Sequence, residues 1–261
     1  MDDLRVLSLN VRVDTDGDGD DAWLNRRDHL VGLLRYHDPD VIGLQEPLPH
    51  QYEYITDTLD GYEWVGQSRQ VADGEGEYTP VGFSADRFRA TDTGTFWLSE
   101  MPDEAGSVGW DARYPRIATW VRLDGGSERP LLVCNTHLDH EGEKARRRGA
   151  GLIVDRLGDL LDDDIPVVSG DLNSVAGSPA YERLDGATVG EHRLQSALRV
   201  ADHHHGPATT RTDFHEFLPD RKIDHVFVSD ECRVAHHAIP TDRTEHRYPS
   251  DHLPVVVDVS R

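Results

Sequence analysis

The sequence predicts an α/β fold in which two mixed β-sheets pack face to face, with helices on the outside. About eleven short apolar segments are typical of strands, whereas only a few segments have helical periodicity. The strands do not alternate regularly with helices, so a Rossmann-type sheet fits poorly, and no repeat recurs at a fixed period.

The first elements form a strand, helix, strand series. Apolar runs predict strands over residues 4–11 and 40–46, and large apolar residues recur at helical spacing over 22–37 between them. Further strands, most of them rich in β-branched or aromatic residues, are predicted at 62–68, 81–85, 93–98, 116–123, 130–137, 166–170, 222–229, 232–239 and 254–259.

Two more helices are predicted in the second half of the chain. Apolar residues at helical spacing predict one over about 142–161. Ser178 and Pro179 resemble an N-cap followed by proline at the first helical position, so a short helix is predicted over 179–184. Irregular loops are predicted at 12–21, 69–79, 101–115 and 201–220.

The chain has 261 residues, and we expect a single domain covering residues 1–261. Its formal net charge is -22, only two of its 27 basic residues are lysine, and aspartate outnumbers glutamate by roughly two to one. Such a surface is typical of a halophilic protein, because the Debye length falls to about 3 Å in molar salt and like charges are screened. The charge argues against a broad basic face for nucleic acid, but it leaves room for a local basic pocket.

The first residues, MDDLRVLSLN, have neither the positive nor the apolar region of a secretory signal. No run reaches the ~18 apolar residues of a membrane span. We therefore expect a cytoplasmic monomer that makes no membrane contact. Cys134 and Cys232 are too few and too isolated to form a metal site, and we expect both to be buried thiols.

Polar residues end the first two predicted strands. Glu46 precedes Pro47, so the strand must stop there and present the carboxylate at its tip. Because Mg²⁺ is commonly held by one or two carboxylates plus waters and phosphate oxygens, Glu46 is the first candidate metal ligand. Asn10 is placed beside it, where it could orient the metal-bound carboxylate or a water. Taken alone, each residue could equally be a solvated turn residue.

The string GDLNS at 170–174 is the most specific motif in the chain. After the turn at Gly170, Asp171 and Asn173 occupy alternate positions, so both side chains can point to one side. Asp171 could accept a proton from the attacking water or orient it, and Asn173 could hold a phosphate oxygen or that water. An Asx-turn without a chemical role is the alternative.

Three histidine-containing strings complete the candidate site. In NTHLD at 135–139, an imidazolium at His137 could stabilise the charge that develops during phosphate displacement, whereas Asp139 could belong to the site or to a surface turn. In IDH at 223–225 and SDH at 250–252, we expect Asp224 to face the site and to orient His252, as a carboxylate does in a catalytic dyad.

These strings, in the order LSLN, LQE, NTHLD, GDLNS, IDHVFVS and SDHLPV, resemble the endonuclease/exonuclease/phosphatase superfamily over nearly the whole chain. The resemblance implies a four-layer α/β sandwich of the DNase I-like type, Mg²⁺ or Mn²⁺ as the cofactor, and in-line attack by water. By motif it implies metal binding by Asn10, Glu46 and Asp251, and catalytic roles for His137, Asp171, Asn173, Asp224 and His252. Other strings are similar to a prokaryotic branch of unassigned substrate.

We therefore expect a Mg²⁺-dependent phosphoesterase that hydrolyses a phosphodiester or a phosphomonoester, with a nuclease among the candidates. Its partner would be a phosphate-ester substrate, a class that includes nucleic acid. Either His252 or Asp171 would activate the water. Two alternatives stay open: a small-molecule phosphatase acting on a nucleotide, sugar or lipid, and a binding or scaffold protein without catalysis.

Other polar groups carry weaker signals. Arg113 and Arg116 lie next to aromatic residues in or beside a predicted loop, and we expect them to contact substrate phosphate or base. Residues 14–19 match the opening of a calcium loop but lack the glutamate needed at its twelfth position. The histidines at 203–205 are expected in a loop, because three consecutive residues cannot all face one ion.

Overall fold

The computed structural model describes residues 3–70, 75–127, 129–244 and 246–260. They form the strands β1 (Leu4–Asn10), β2 (Val41–Gln45), β3 (Tyr62–Val65), β4 (Val81–Ser84), β5 (Arg89–Trp97), β6 (Ile117–Asp124), β7 (Leu131–His137), β8 (Ile165–Asp171), β9 (Thr188–Val189), β10 (His192–Ser196), β11 (His203–His205), β12 (Asp224–Ser229), β13 (Arg233–Ala238) and β14 (Val255–Ser260). The α-helices are α1 (Trp23–His37), α2 (Pro49–Thr58), α3 (Glu143–Leu160), α4 (Pro179–Leu184) and α5 (Ala197–Val200), and a 3-10 helix spans Asp16–Asp21.

The strands form two seven-stranded mixed sheets. Their order is β11-β13-β14-β1-β2-β4-β3 in the first sheet and β5-β6-β7-β8-β12-β10-β9 in the second. A parallel pair lies near the middle of each sheet, β1 with β2 and β7 with β8. The carboxyl ends of the two pairs meet, since Asn10 at the end of β1 donates a hydrogen bond to Asp171 at the end of β8.

Apolar side chains on alternate strand residues separate the layers of the fold. The core between the sheets includes Val6, Val133, Val167, Val226 and Val257. The core that joins α1 and α2 to the outer face of the first sheet includes Leu7, Leu9, Leu30, Leu34 and Ile55. The core that joins α3 and α4 to the second sheet includes Leu132, Ile153, Leu157, Val168 and Tyr181. The predicted α/β fold, a four-layer sandwich of two mixed sheets with outer helices, is therefore confirmed.

The two sheets approach closely at Gly43 of β2. A Cβ atom at this position would lie 2.5 Å from Ser169 Oγ and 2.7 Å from Asn135 Oδ1. Asn135 is buried, donates its Nδ2 to the carbonyl of Leu44, and accepts a hydrogen bond from Gln45 Nε2. Asn135, the first residue of NTHLD, thus joins the sheets beneath the polar side chains at the strand ends.

The helices predicted over 22–37, 142–161 and 179–184 are present as α1, α3 and α4. Ser178 is the N-cap of α4, and its hydroxyl accepts a hydrogen bond from the backbone of Tyr181. Helices α2 and α5 were not predicted. The buried side of α2 includes only Gln51 and Ile55, so its sequence carries little apolar periodicity.

Two of the predicted loops are wrong in part. The 3-10 helix occupies 16–21, and β11 occupies 203–205 at the edge of the first sheet, where it pairs with β13. All three residues of β11 are exposed, so no alternation of apolar and polar residues marks it as a strand. Strands β9 and β10 were also missed. Part of the predicted loop at 69–79 lies outside the described residues.

Both cysteines are buried, as expected from the sequence, and burial raises the pKa of the Cys134 thiol to about 12. This thiol therefore stays protonated at neutral pH. None of the described helices combines the length and apolar character that crossing a membrane requires.

Candidate functional site

Polar side chains from both sheets meet where the central strands end. Asn10 is the last residue of β1, Glu46 directly follows β2, and His137 and Asp171 end β7 and β8. Asp224 begins the antiparallel strand β12 and pairs in register with Asp171, which pairs in turn with His137. The sheet topology thus gathers residues that are far apart in sequence at one edge of the sandwich.

The backbone is unusual at this edge. Glu46 has a φ of 71° and Asn173 a φ of 47°, values that are uncommon for residues other than glycine. Gly170 has a φ of 154°, and a Cβ atom there would lie 2.1 Å from the carbonyl oxygen of Thr136, so the position requires glycine. Backbone strain of this kind clusters at functional sites, where it re-aims side chains.

Glu46, His137 and Asp171 each offer a ligand atom, and these atoms lie within 4.8 Å of one another. Asn10 holds the two carboxylates: its Nδ2 donates to Glu46 Oε1 at 2.8 Å and to Asp171 Oδ2 at 3.1 Å. Its Oδ1 accepts from the backbone N–H of Arg12 at 2.9 Å. This geometry gives Asn10 an orienting role toward the carboxylates.

Electrostatics distinguish the members of this cluster. Burial and the nearby charge of Asp224 raise the pKa of Asp171 to about 7. Burial lowers the pKa of His137 well below its ordinary value, and the positive charges of Arg116 and Arg69 act in the same direction. His137 is therefore neutral at neutral pH, which corrects the imidazolium expected from the sequence. The correction depends on burial beside two arginines, which the motif NTHLD does not encode.

His252 and Asp224 form a buried pair. The Nδ1 of His252 lies 3.1 and 2.9 Å from the two carboxylate oxygens of Asp224, and its Nε2 lies 3.7 Å from Asp171 Oδ2. Burial disfavours charge on the ring, but Asp224, Asp171 and Asp251 outweigh it and raise the pKa of His252 to about 9. His225, the next residue of β12, contacts a backbone carbonyl instead.

Arg211 stands between His252 and Asp251. Its Nη1 contacts His252 Nε2 and lies 2.9 Å from Asp251 Oδ2. Donation to Nε2 requires a neutral ring, because an imidazolium has no lone pair, whereas the surrounding carboxylates favour the charged ring. A phosphate oxygen placed here would remove the conflict, since Arg211 and a protonated His252 could both donate to it.

Asp251, which was expected to bind metal, belongs to no three-residue group of ligand atoms among the residues that the structure describes. Its Oδ2 pairs with Arg211 and lies 4.0 Å from Arg12 Nη1, so guanidinium groups already balance its charge. Its Oδ1 is buried and has no hydrogen-bond partner among the described residues. The motif SDH carries no sign of these arginines, because both are distant in sequence.

The strings GDLNS and NTHLD contact each other. The backbone N–H of Asn173 donates to Asp171 Oδ1 at 2.8 Å, and its Nδ2 lies 3.1 Å from His137 Nε2. Asp139 accepts hydrogen bonds from the backbone of Glu141 and Gly142 at 3.0 and 2.7 Å. Asn173 therefore faces the cluster, whereas Asp139 shapes a turn.

A cleft of about 380 Å³ opens over these groups. Its walls are formed by Arg12, Val13, Glu46, Arg69, Glu77, Tyr114, Arg116, His137, His140, Asp171, Asn173, Arg211, Arg221, Ile223 and His252. Five arginines against three carboxylates give the cleft an excess of positive charge in a chain whose net charge is -22. The cleft is therefore a local basic pocket, suited to an anion.

Of the two arginines expected to contact substrate, Arg116 lines the cleft and Arg113 does not. Arg116 is buried, and its Nη1 has no hydrogen-bond partner in the part of the chain that the structure describes. The guanidinium of Arg113 lies instead over the ring of Tyr114, 5.7 Å from its centroid. Position in the sequence could not separate the two, because only the path of the loop decides which side chain enters the cleft.

The charged cleft residues that were not predicted include Arg12, Arg69, Glu77 and Arg211. The signal for Arg12 was its position two residues after Asn10, but its φ of 62° takes it out of the extended chain in which alternate residues share a side. The other three lie in the predicted loops 69–79 and 201–220, which contain no motif.

Several larger cavities lie elsewhere. One of about 560 Å³ lies beside α3 and α4 and includes Trp110 and Arg183, and another of the same volume lies at the first sheet's edge with His203 and His236. Within the described residues, groups of at least three metal-ligating side chains occur only around Asp171, either with Glu46 and His137 or with the buried dyad. The smaller cleft is therefore the candidate site.

Comparison with known proteins relates the whole chain to one family. The model of the Endonuclease/Exonuclease/phosphatase family matches residues 7–252. An endonuclease/exonuclease/phosphatase from Bacteroides vulgatus is 33% identical with a TM-score of 0.92, covering 100% of this chain and 99% of that one. A mannosyl-6-phosphatase from Bacteroides thetaiotaomicron is 30% identical with a TM-score of 0.90, covering 99% and 100%. The catalytic domain of human Nocturnin, 19% identical with a TM-score of 0.78 over 99% and 93%, shares the fold.

Proposed function

The chain belongs to the endonuclease/exonuclease/phosphatase family, whose members are generally hydrolytic phosphoesterases, and we propose that it is a metal-dependent phosphomonoesterase acting on a sugar phosphate. The observation that carries this proposal is the small arginine-lined cleft with Glu46, His137 and Asp171 at its base. A cleft of about 380 Å³ is the size of a small-molecule site. The name of the relative from Bacteroides thetaiotaomicron, a mannosyl-6-phosphatase, supports a sugar as the alcohol.

The residues present fit a divalent ion. Glu46 and Asp171 provide carboxylate oxygens, and the neutral ring of His137 provides a lone pair, all within 4.8 Å of one another. Burial and the negative charge of Asp224 raise the pKa of Asp171 to about 7, and a cation beside it would oppose both effects. Mg²⁺ and Mn²⁺ suit such a carboxylate-rich set, which leaves positions for water and phosphate oxygens. When bound, the ion would polarise the phosphate and stabilise the leaving oxygen.

Different side chains accept the proton of the water and stabilise the negative charge that develops during the reaction. In our proposal Asp171, held by Asn173 and Asn10, accepts the proton of the attacking water. The water oxygen bonds to phosphorus in line with the sugar oxygen, the bond from phosphorus to the sugar oxygen breaks, and the sugar leaves as an alcohol with a proton donated by His252. Arg211 and His252 donate to the oxygens on which negative charge develops.

The role of Asp224 is to hold the other side of His252. Because Asp224 accepts from Nδ1, the charged ring keeps an Nε2–H directed at the cleft. His252 is then a proton donor and charge stabiliser, and Asp171 rather than His252 is the base.

The test is a substrate panel with Mg²⁺ or Mn²⁺ in molar salt, where the surface charge is screened. We expect release of phosphate from mannose 6-phosphate and glucose 6-phosphate, and no degradation of single-stranded DNA. Glu46→Gln should lower kcat by about a thousandfold, the effect of several kcal/mol of lost stabilisation. It should also remove the metal-induced rise in Tm.

Glu53→Gln, at an exposed position of α2, is the matched control and should behave as the wild type. Degradation of DNA without hydrolysis of any sugar phosphate would overturn the proposed substrate class. Full activity of Glu46→Gln would overturn the metal assignment.

A further inference from the structure

We propose that Glu77, paired with Arg69, recognises hydroxyl groups of the alcohol part of the substrate and thereby selects a sugar phosphate over a plain alkyl phosphate. The inference rests on the proposed function and adds a specificity-determining residue to it. Glu77 places a carboxylate in the wall of a cleft whose arginines suit an anionic ligand.

One carboxylate oxygen of Glu77, Oε2, can accept hydrogen bonds from a ligand. Arg69 Nη2 lies 2.6 Å from its Oε1. No donor in the described ranges hydrogen-bonds to Oε2, and an ionised carboxylate can accept about four hydrogen bonds. Although largely buried, Glu77 lines the cleft, so the free oxygen is available to a ligand there.

Glu77 is also set apart from the other acids of the cleft. Three carboxylates line it, and two of them, Glu46 and Asp171, belong to the metal-ligating cluster. Burial raises the pKa of Glu77 to about 7, with a further contribution from the charge of Glu46, which Arg69 opposes. A third acid in a pocket for a phosphate ester requires an explanation, since its charge repels the phosphate.

Backbone hydrogen bonds fix Glu77 close to the metal-ligating cluster. The N–H of Arg69 donates to the carbonyl of Glu77 at 3.0 Å, and the N–H of Tyr78 donates to the carbonyl of Pro47 at 2.9 Å. Pro47 directly follows Glu46, so the segment that carries Glu77 is attached next to the metal ligand. A side chain anchored in this way can reach the part of the substrate nearest the phosphate.

Arg69 offers a donor beside this acceptor. Its Nε is buried and has no hydrogen-bond partner among the residues the structure describes. The two residues, paired through Arg69 Nη2 and Glu77 Oε1, together match a hydroxyl group, which can donate to Glu77 and accept from Arg69. The pair does not match an alkyl chain, which would leave both groups unsatisfied, or an amine, which Arg69 would repel. A molecule with several hydroxyls next to its phosphate satisfies both.

The competing explanation is that Glu77 only positions Arg69 for the phosphate. The two explanations differ in what they predict for substrates without hydroxyls. If Glu77 acts only through Arg69, its removal weakens the binding of every phosphate ester and of inorganic phosphate to the same extent. If Glu77 binds hydroxyl groups, its removal lowers kcat/KM mainly for the sugar phosphate.

The experiment measures kcat/KM for mannose 6-phosphate and n-butyl phosphate by phosphate release, and the inhibition constant of inorganic phosphate. The variants are Glu77→Gln and Glu77→Ala, with the exposed Glu75→Gln as the matched control. Loss of hydrogen bonds to a charged group predicts a fall of about tenfold to a hundredfold on mannose 6-phosphate. On n-butyl phosphate the fall should be at least about tenfold smaller. Circular dichroism checks the fold, and the isosteric Glu77→Gln alone decides if Glu77→Ala unfolds.

The inference would be overturned if the Glu77 variants lost kcat/KM equally on both substrates and were inhibited more weakly by phosphate. A wild-type enzyme that hydrolyses both esters equally well would overturn it too, while leaving the phosphomonoesterase assignment intact. If the wild type hydrolyses neither ester, the proposed function fails first and the inference falls with it.

Discussion

Asp224→Asn tests the link between buried charge and activity. The substitution preserves the shape of a fully buried side chain that accepts from His252 Nδ1, but it removes the negative charge. The rise in the pKa of His252 from 6.5 to about 9 corresponds to about 3 kcal/mol in favour of the charged ring. Among the groups that raise this pKa, Asp224 contributes most. We therefore expect the pKa of His252 to fall toward or below 6.5 in the variant.

Activity and stability should change together. Loss of an oriented, charged imidazole predicts a fall in kcat of about 10²- to 10⁴-fold. Because the folded pKa of His252 is raised, its contribution to stability is fully present below pH 6.5 and is lost as the pH rises through about 9. The free energy of unfolding of the wild type should therefore fall by up to about 3 kcal/mol over this interval, and that of the variant should change less.

The measurements are an NMR titration of the His252 ring, assigned with His252→Gln, and urea unfolding at pH 6.5, 7.5 and 9. Asp60→Asn, at an exposed position outside the cleft, is the control for loss of one negative charge. A His252 pKa that stays near 9 in Asp224→Asn would refute the electrostatic reasoning. An unchanged kcat with a lowered pKa would refute the role of the charged ring.

The remaining predictions concern stability. Burial lowers the pKa of His237 to about 3, so the protein loses stability as the pH falls below 6.5. In urea unfolding, His237→Gln should reduce the stability lost between pH 7 and pH 5 by about 2 kcal/mol. An unchanged loss of stability would contradict this. Gly43→Ala should lower the free energy of unfolding by about 1–3 kcal/mol, because its Cβ would lie 2.5 Å from Ser169 Oγ. Gly32→Ala, in the exposed part of α1 with nothing within 4 Å, should instead stabilise by up to about 1 kcal/mol, and equal effects of the two substitutions would exclude the steric explanation.

The parts of the fold that the sequence predicted are those with strong local signals. Helix α4 was predicted because Ser178 caps it and Pro179 begins it, and both features depend on adjacent residues. Strand β11 was not, because an exposed edge strand of histidines has no apolar face. Strand β10 buries His192 and Ser196 on either side of Leu194, so polar residues stand where apolar ones would have marked the strand.

The candidate site shows the same division. Asn10, Glu46, His137 and Asp171 could be expected to meet because each ends an apolar strand, and strand ends gather at one edge of a sheet. The surroundings of these residues could not be predicted from the sequence in the same way. Burial, together with the charges of Arg116 and Arg69, lowers the pKa of His137, and Asp251 pairs with arginines and belongs to none of the three-residue groups of ligand atoms found among the described residues.

By itself the sequence determined the layered α/β architecture and the residues that end its central strands, because apolar periodicity and strand-end motifs are local properties of the chain. Only the tertiary structure decided which loop residues enter the cleft. Arg211 reaches His252 across 41 positions of sequence, and Glu77 reaches the cleft through a segment without a motif. Their positions follow from how the loops pack on the sandwich, and packing is a property of the whole fold rather than of any segment.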